Sequence, residues 1–122
     1  MDERQYVLRW LSAFLFTATL EIPIVVALLR QTGKPLARRF AMALTAQVAS
    51  HPAVWFVFPA LGMSYWKMIV VAECWAVLSE TAIYFGLTEG LRLRRAFFVS
   101  LLANSVSYGL GLLSQRVWEW PG

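Results

Sequence analysis

Three glutamates stand inside long apolar stretches of this sequence, Glu21, Glu73 and Glu80, while all eleven Lys and Arg residues stand at the ends of those stretches or between them. An ionised carboxylate at the centre of a bilayer costs at least about 2.5 kcal/mol on insertion scales. Loss of water favours the protonated form of a buried carboxyl group, and a second carboxyl nearby favours it further. We therefore expect Glu21 and Glu80 to share protons near neutral pH, which would allow them to exchange a proton for a cation.

Other polar side chains occur at the same depth as these glutamates, about 10–16 Å from one end of each apolar stretch at ~1.5 Å per residue. The residues of this layer are Glu21, Gln47, His51, Glu80 and Asn104. Polar residues four positions apart share one helical face, a spacing that links Gln47 to His51 and Asn104 to Tyr108. We expect the polar faces to point inward and to form one ion-binding or substrate-binding site on a bundle axis.

Each member of this set also has a structural interpretation. Gln47 and Asn104 fit hydrogen bonds between helices at least as well as ligand contacts. Glu73, nearer the opposite end of its helix, is either an outer step of a proton relay through Glu80 or a solvated residue at the mouth of the site. Tyr108 is either a relay partner or a packed, hydrogen-bonded aromatic residue.

A metal centre is a further interpretation of the carboxylates. If a divalent metal is bound, Glu21, Glu80 and His51 are the ligands that the sequence offers. The sequence lacks the H-E-x-x-H and H-x-x-E-H patterns of zinc enzymes. No cofactor is therefore expected, and no residue is assigned as catalytic.

The composition requires a membrane. Of 122 residues, 59% are hydrophobic and 15% are charged, whereas soluble domains are about half apolar and a quarter charged. Four apolar blocks of roughly the ~20 residues that cross a bilayer predict spans at 10–29, 40–61, 68–87 and 96–113. Spans in lipid must be helical, and short connections make neighbours antiparallel. The sequence predicts one integral membrane domain over residues 1–122, an antiparallel four-helix transmembrane bundle.

Basic residues predict the orientation. Seven of the eleven Lys and Arg residues lie in the two connections between spans one and two and between spans three and four, which places those loops in the cytoplasm and both termini on the outer side, in a bacterial inner membrane. The net charge of +4 thus indicates topology and not a nucleic-acid partner. Aromatic residues at the outer ends of the spans predict an interfacial belt. They are Tyr6, Trp10, Trp55, Tyr65, Trp66, Trp118 and Trp120.

The two halves of the chain resemble each other. Residues 38–51 align with residues 95–108 without a gap, and two extra residues in the first loop bring Glu21 over Glu80. This pattern predicts two duplicated helical hairpins, related by a pseudo-two-fold axis along the membrane normal.

These features favour a small transporter or channel, or a subunit of one, that moves a proton or cation through the Glu21 and Glu80 layer. Four helices leave little room for a pathway, so we expect a homo-oligomer or a subunit of a membrane complex in the lipid bilayer. One alternative is an intramembrane metal-dependent enzyme acting on a lipid-like substrate. Another is a non-catalytic membrane assembly partner whose polar layer only specifies helix pairing.

Overall fold

The computed structural model describes residues 2–118, and the side chains of residues 2–114. Within this range all regular structure is helical: α1 (Glu3–Leu28), α2 (Leu36–Phe56), α3 (Tyr65–Leu87) and α4 (Leu93–Trp118), with short 3-10 turns at Arg30–Thr32 and Phe58–Leu61. Each of the four helices is long and apolar enough to cross a membrane. The predicted all-helical architecture with four membrane-length helices is confirmed.

The helices begin earlier than the predicted spans. α1 begins at Glu3, α2 at Leu36 and α4 at Leu93. Hydropathy marks where the chain meets hydrocarbon, whereas a helix begins where its first N–H groups find acceptors. At α1 the Asp2 carboxylate accepts the Gln5 N–H at 2.8 Å, and the Asp2 N–H donates to the Gln5 side chain at 3.3 Å. This capping box explains an α1 that extends well ahead of residue 10.

Opposite ends of neighbouring helices meet, so the packing is antiparallel. The Tyr6 hydroxyl, in the first turns of α1, donates to the Trp55 carbonyl near the end of α2. At the other end, the Arg39 guanidinium of α2 donates to the Val26 carbonyl of α1 at 2.5 Å. α1 packs against α2 and α4, and α3 packs against the same two helices. The four helices thus form a closed ring around one axis.

Arginines join the two hairpins at one end of this ring, which we call the arginine face. Arg38 at the start of α2 donates to the Leu87 carbonyl at the end of α3, at 3.2 Å. Arg95 at the start of α4 donates to the Leu28 carbonyl at the end of α1, at 3.3 Å. The last carbonyls of a helix have no N–H partner within the helix and carry partial negative charge. A guanidinium there donates the missing hydrogen bond and stabilises the end of the helix electrostatically.

The interior is narrow and the large apolar side chains face outward. Small buried residues allow the helices to approach closely, as membrane helices do. They include Ala18, Ala43, Ala46, Ala72, Ala76, Ala96 and Ala103. Exposed Leu, Phe, Val and Trp side chains cover the outside of the ring. A bundle with its large apolar residues outside is suited to hydrocarbon as its solvent.

Aromatic rings cluster at the opposite end, which we call the terminal face because α1 begins there and α4 ends there. The rings of Tyr6 and Trp55 are 5.5 Å apart, and those of Trp10 and Phe56 are 5.3 Å apart. Tyr65 packs edge-on against Trp66. Trp120 and the Trp118 side chain, also expected in this belt, lie outside the described part of the chain.

The arginine contacts predict unequal effects of two neighbouring substitutions. Arg95→Gln should lower the free energy of unfolding by about 1–2 kcal/mol, because it removes a charged donor from a helix-terminal carbonyl. Arg94→Gln, at an exposed position, should change it little. Thermal unfolding in mild detergent measures both. Equal losses would show that the positive charge of the arginine face, and not the bond to Leu28, is what stabilises the bundle.

Candidate functional site

The carboxyl groups of Glu21 and Glu80 meet on the bundle axis. Each residue is 1% exposed. The Gln47 side-chain amide donates to Glu21 Oε1 at 2.8 Å and reaches Glu80 Oε1 at 3.5 Å, so one nitrogen contacts both groups. The two carboxyls are therefore neighbours and interact electrostatically. An ionised carboxylate only accepts hydrogen bonds, so two of them can bond each other only when one carries a proton.

The remaining hydrogen bonds of the pair come from neutral groups. Ser107 donates to Glu21 Oε2 at 2.5 Å, and Ser50 donates to Glu80 Oε2 at 3.0 Å. The Asn104 amide donates to Glu80 Oε1 at 3.3 Å. Among the side chains of residues 2–114, no Lys, Arg or His donates to either glutamate. Burying two ionised carboxylates without a cation costs free energy, and protonating one of them removes most of that cost.

Helical spacing positions the donors. Gln47 and Ser50 are three residues apart on α2, as are Asn104 and Ser107 on α4, so each amide and its serine share a face. Asn104 is also held by its own helix, where its amide donates to the Ser100 carbonyl at 2.9 Å. The structure thus brings together four predicted residues of the polar layer. The two serines were not predicted as site residues, although their place three residues after each amide is visible in the sequence.

The contacts follow a regular pattern across the two hairpins. Each amide donates to the glutamate of its own hairpin, and each serine donates to the glutamate of the other. Arg38 and Arg95 likewise each bond a carbonyl of the opposite hairpin. Every helix therefore supplies either a carboxyl group or its donors, and the pair is complete within one chain.

A cavity of about 240 Å³ opens above the pair toward the terminal face. We call it the vestibule. Its floor contains Glu21, Glu80, Gln47 and Asn104, and its walls come from all four helices. The wall residues include Phe16, His51, Trp55, Tyr65, Glu73 and Tyr108. Toward the arginine face the axis is filled by buried side chains, among them Ile22, Val25, Met42, Tyr84 and Val99. Among the described residues, the cavity thus adjoins the pair from the terminal face, and packed side chains cover the pair on the other side.

The other predicted site residues line the vestibule and do not join the pair. Glu73, His51 and Tyr108 lie on its walls, above the floor. The His51 ring packs edge-on against Phe14 at 5.4 Å, and its buried Nδ1 has no hydrogen-bond partner among the described residues. Within that part of the chain no three His, Cys, Asp or Glu residues are grouped so that they could hold a metal ion. The ligand set Glu21, Glu80 and His51 is therefore not assembled.

Fold and site together define a class: a helical protein with four helices long enough to span a membrane and a buried carboxyl pair at the floor of a cavity. No protein-family model, curated protein or solved structure matches this chain. The site itself therefore carries the functional argument.

The vestibule predicts different reactivity for cysteines at two glycines of α4. Gly111 lines the vestibule, Gly109 is exposed on the outside of the ring, and both positions have open space for a side chain. In a Cys74→Ala background, Gly111→Cys should react with a charged, water-soluble thiol reagent on the order of tenfold faster than Gly109→Cys, because the reactive thiolate forms in water and not in lipid. Equal rates for the two cysteines would argue against a water-accessible vestibule.

Proposed function

We propose that this protein couples the movement of a small cation to that of a proton, with Glu21 and Glu80 as the site at which the two exchange. The observation that supports this function is the buried carboxyl pair with neutral donors only, exposed to a cavity. Amides and hydroxyls alone are enough for a structural layer of hydrogen bonds. Two buried acids lower the stability of the fold further, so their presence favours a functional role.

The exchange follows from charge balance. While the pair holds its shared proton, it carries at most one negative charge. When that proton leaves through the vestibule, the second charge requires compensation, which a cation entering by the same route supplies. Proton and cation therefore compete for one site. Competition at a single site is the basis of proton-linked antiport.

The closed half of the bundle favours a transporter over an open channel. A channel needs a continuous path, whereas here Val25, Tyr84 and their neighbours fill the axis beneath the pair. Release toward the arginine face then requires a second conformation in which this packing opens and the vestibule closes. In this proposal the vestibule belongs to the state open at the terminal face.

The vestibule favours a small monovalent cation. Its volume of about 240 Å³ equals that of about eight water molecules at ~30 Å³ each. The aromatic faces of Phe16, Trp55 and Tyr108 suit a cation with little hydration, and Glu73 adds a carboxylate to the wall. The described residues offer no converging set of acidic or imidazole ligands for a divalent ion.

A duplicated origin of the two hairpins is part of this proposal. The same sequence spacing separates Glu21 from Glu80 and Leu28 from Leu87, and the amide, serine and arginine contacts recur in both hairpins. A pseudo-two-fold axis along the membrane normal would place both carboxyls at one depth, as two halves of one site. Two further features stay predictions: that both termini lie on the outer side of a bacterial inner membrane, and that the protein forms a homo-oligomer.

Transport assays test the exchange directly. In proteoliposomes with an imposed pH gradient, the wild type should move a monovalent cation such as Na⁺, K⁺ or methylammonium against protons. Glu80→Gln should abolish this flux, because an amide cannot release a proton. Glu89→Gln, at an exposed loop position, is the matched control and should transport normally. Absence of pH-driven flux of all three cations in the wild type would contradict the proposal.

The pH dependence of thermal stability distinguishes the proposed transport from the alternative of an assembly partner, in which the polar layer is purely structural. Burying a doubly ionised pair costs free energy, so the wild type should lose thermal stability as pH rises, while Glu21→Gln/Glu80→Gln should be as stable or more stable and independent of pH. If the double variant unfolds at lower temperature at every pH, the glutamates are structural hydrogen-bonding partners and the assembly function takes first place.

A further inference from the structure

The Tyr84 hydroxyl is one of three buried polar atoms that have no hydrogen-bond partner among the described residues; the others are Trp10 Nε1 and His51 Nδ1. Tyr84 is 0% exposed and is among the largest fully buried side chains. Its hydroxyl has no hydrogen-bond partner among the residues that the structure describes. Leaving a buried hydroxyl unpaired costs free energy, and tyrosine hydroxyls in protein interiors usually find a partner. A phenylalanine would fill the same space without that cost.

The position of Tyr84 connects it to the carboxyl pair. Tyr84 follows Glu80 by one helical turn on α3, and side chains on a helix lean toward its N-terminus, which here is toward Glu80. The hydroxyl interacts electrostatically with both Glu80 and Glu21 and lies near the Glu80 carboxyl, but it does not meet the geometry of a hydrogen bond to it. Tyr84 does not line the vestibule. Its hydroxyl therefore approaches the pair from the closed side, where water from the vestibule does not reach.

Neighbouring hydroxyls on the closed side already have acceptors. Thr81 donates to the Val77 carbonyl at 2.6 Å, and Thr88 donates to the Met42 sulfur at 3.1 Å. Tyr84 thus presents an uncommitted donor to the pair.

The two hairpins differ at this position. Val25 stands four residues after Glu21 in α1, where Tyr84 stands four residues after Glu80 in α3, and both are fully buried. Glu21 consequently has an apolar side chain beneath it, while Glu80 has a hydroxyl. The two carboxyls of an otherwise matched pair are therefore not equivalent.

We propose that Tyr84 is a switching hydrogen-bond donor to Glu80, a positioning residue that rests on the proposed proton exchange. While the pair holds its shared proton, the Tyr84 hydroxyl stays unpaired. When the carboxyl O–H bond breaks and the proton leaves to water in the vestibule, the Tyr84 hydroxyl turns and donates to the new carboxylate, keeping its own proton. The donor stabilises the deprotonated pair and makes Glu80 the carboxyl that releases its proton first.

The charges and titratable groups that face the pair are few among the described residues. α1 supplies Glu21, and α2 supplies His51. α3 supplies Glu73, Glu80 and Tyr84 itself, with Tyr65 farther up the vestibule wall. From α4 the facing groups are the neutral Asn104 and Ser107, with Tyr108 above them. An effect of Tyr84 on proton release must therefore act through the pair and not through a nearby Lys or Arg.

Tyr84→Phe tests the switch, because it removes one oxygen and keeps the ring. The carboxylic acid C=O band in the infrared, followed against pH, reports proton release without a cation or a transport assay. The pH at half-maximal loss of this band should rise by about one unit in Tyr84→Phe, the size expected for a lost hydrogen bond to a charged acceptor. Thr81→Val removes a buried hydroxyl that is already bonded to backbone and should titrate as the wild type does.

Two further results make the test decisive. In a Glu80→Gln background the Tyr84→Phe substitution should no longer shift the titration, since the amide releases no proton and develops no charge for the hydroxyl to stabilise. At low pH, where the pair is protonated, Tyr84→Phe should be at least as thermally stable as the wild type. An unshifted titration, or a clear loss of stability at low pH, would overturn the switch. A shifted titration without cation flux in the wild type would refute the proposed transport and leave the switch intact.

Discussion

The burial of two neighbouring carboxyl groups among neutral donors is the constraint on which the rest of this structure depends. Glu21 and Glu80 are each 1% exposed, and every hydrogen bond that the described residues give them comes from a neutral donor. The two carboxyls lie on α1 and α3, and the side chains that donate to them lie on α2 and α4, so all four helices take part. A helix rotated by ~100°, the equivalent of one residue, would withdraw its group, so the pair fixes the rotation of each helix about its own axis.

The same constraint accounts for the difference between the two ends of the bundle. Above the pair lies a cavity, while below it apolar side chains and small residues pack closely. At the arginine face, Arg38 and Arg95 hold the ends of α3 and α1 through backbone carbonyls. One half of the bundle is therefore accessible and the other is closed, which is the asymmetry that a site loaded from one side requires.

Much of the fold and part of the site follow from the sequence, for identifiable reasons. Hydropathy and the needs of a backbone in lipid predict the four helices, whereas the start of α1 depends on the Asp2 cap, which hydropathy does not detect. Acids and amides are rare enough in apolar segments to be recognised, so the polar layer was predictable. Serine is common in such segments, and the roles of Ser50 and Ser107 depend on helix rotation. The unpaired hydroxyl of Tyr84 depends on three-dimensional packing and has no signature in the sequence.

The distribution of bonds within and between the hairpins suits the proposed exchange. The bonds from Gln47 to Glu21 and from Asn104 to Glu80 stay within one hairpin. Both serine bonds, the longer Gln47 contact with Glu80 and the bonds of Arg38 and Arg95 cross between hairpins. If the hairpins move as units, the amides retain their glutamates and the crossing bonds change. Protonation changes how strongly the carboxyl oxygens accept from Ser50 and Ser107, so the charge of the pair alters the strength of the contact between hairpins. Proton release and a change of access would then be linked through the same few oxygen atoms, without a separate coupling element.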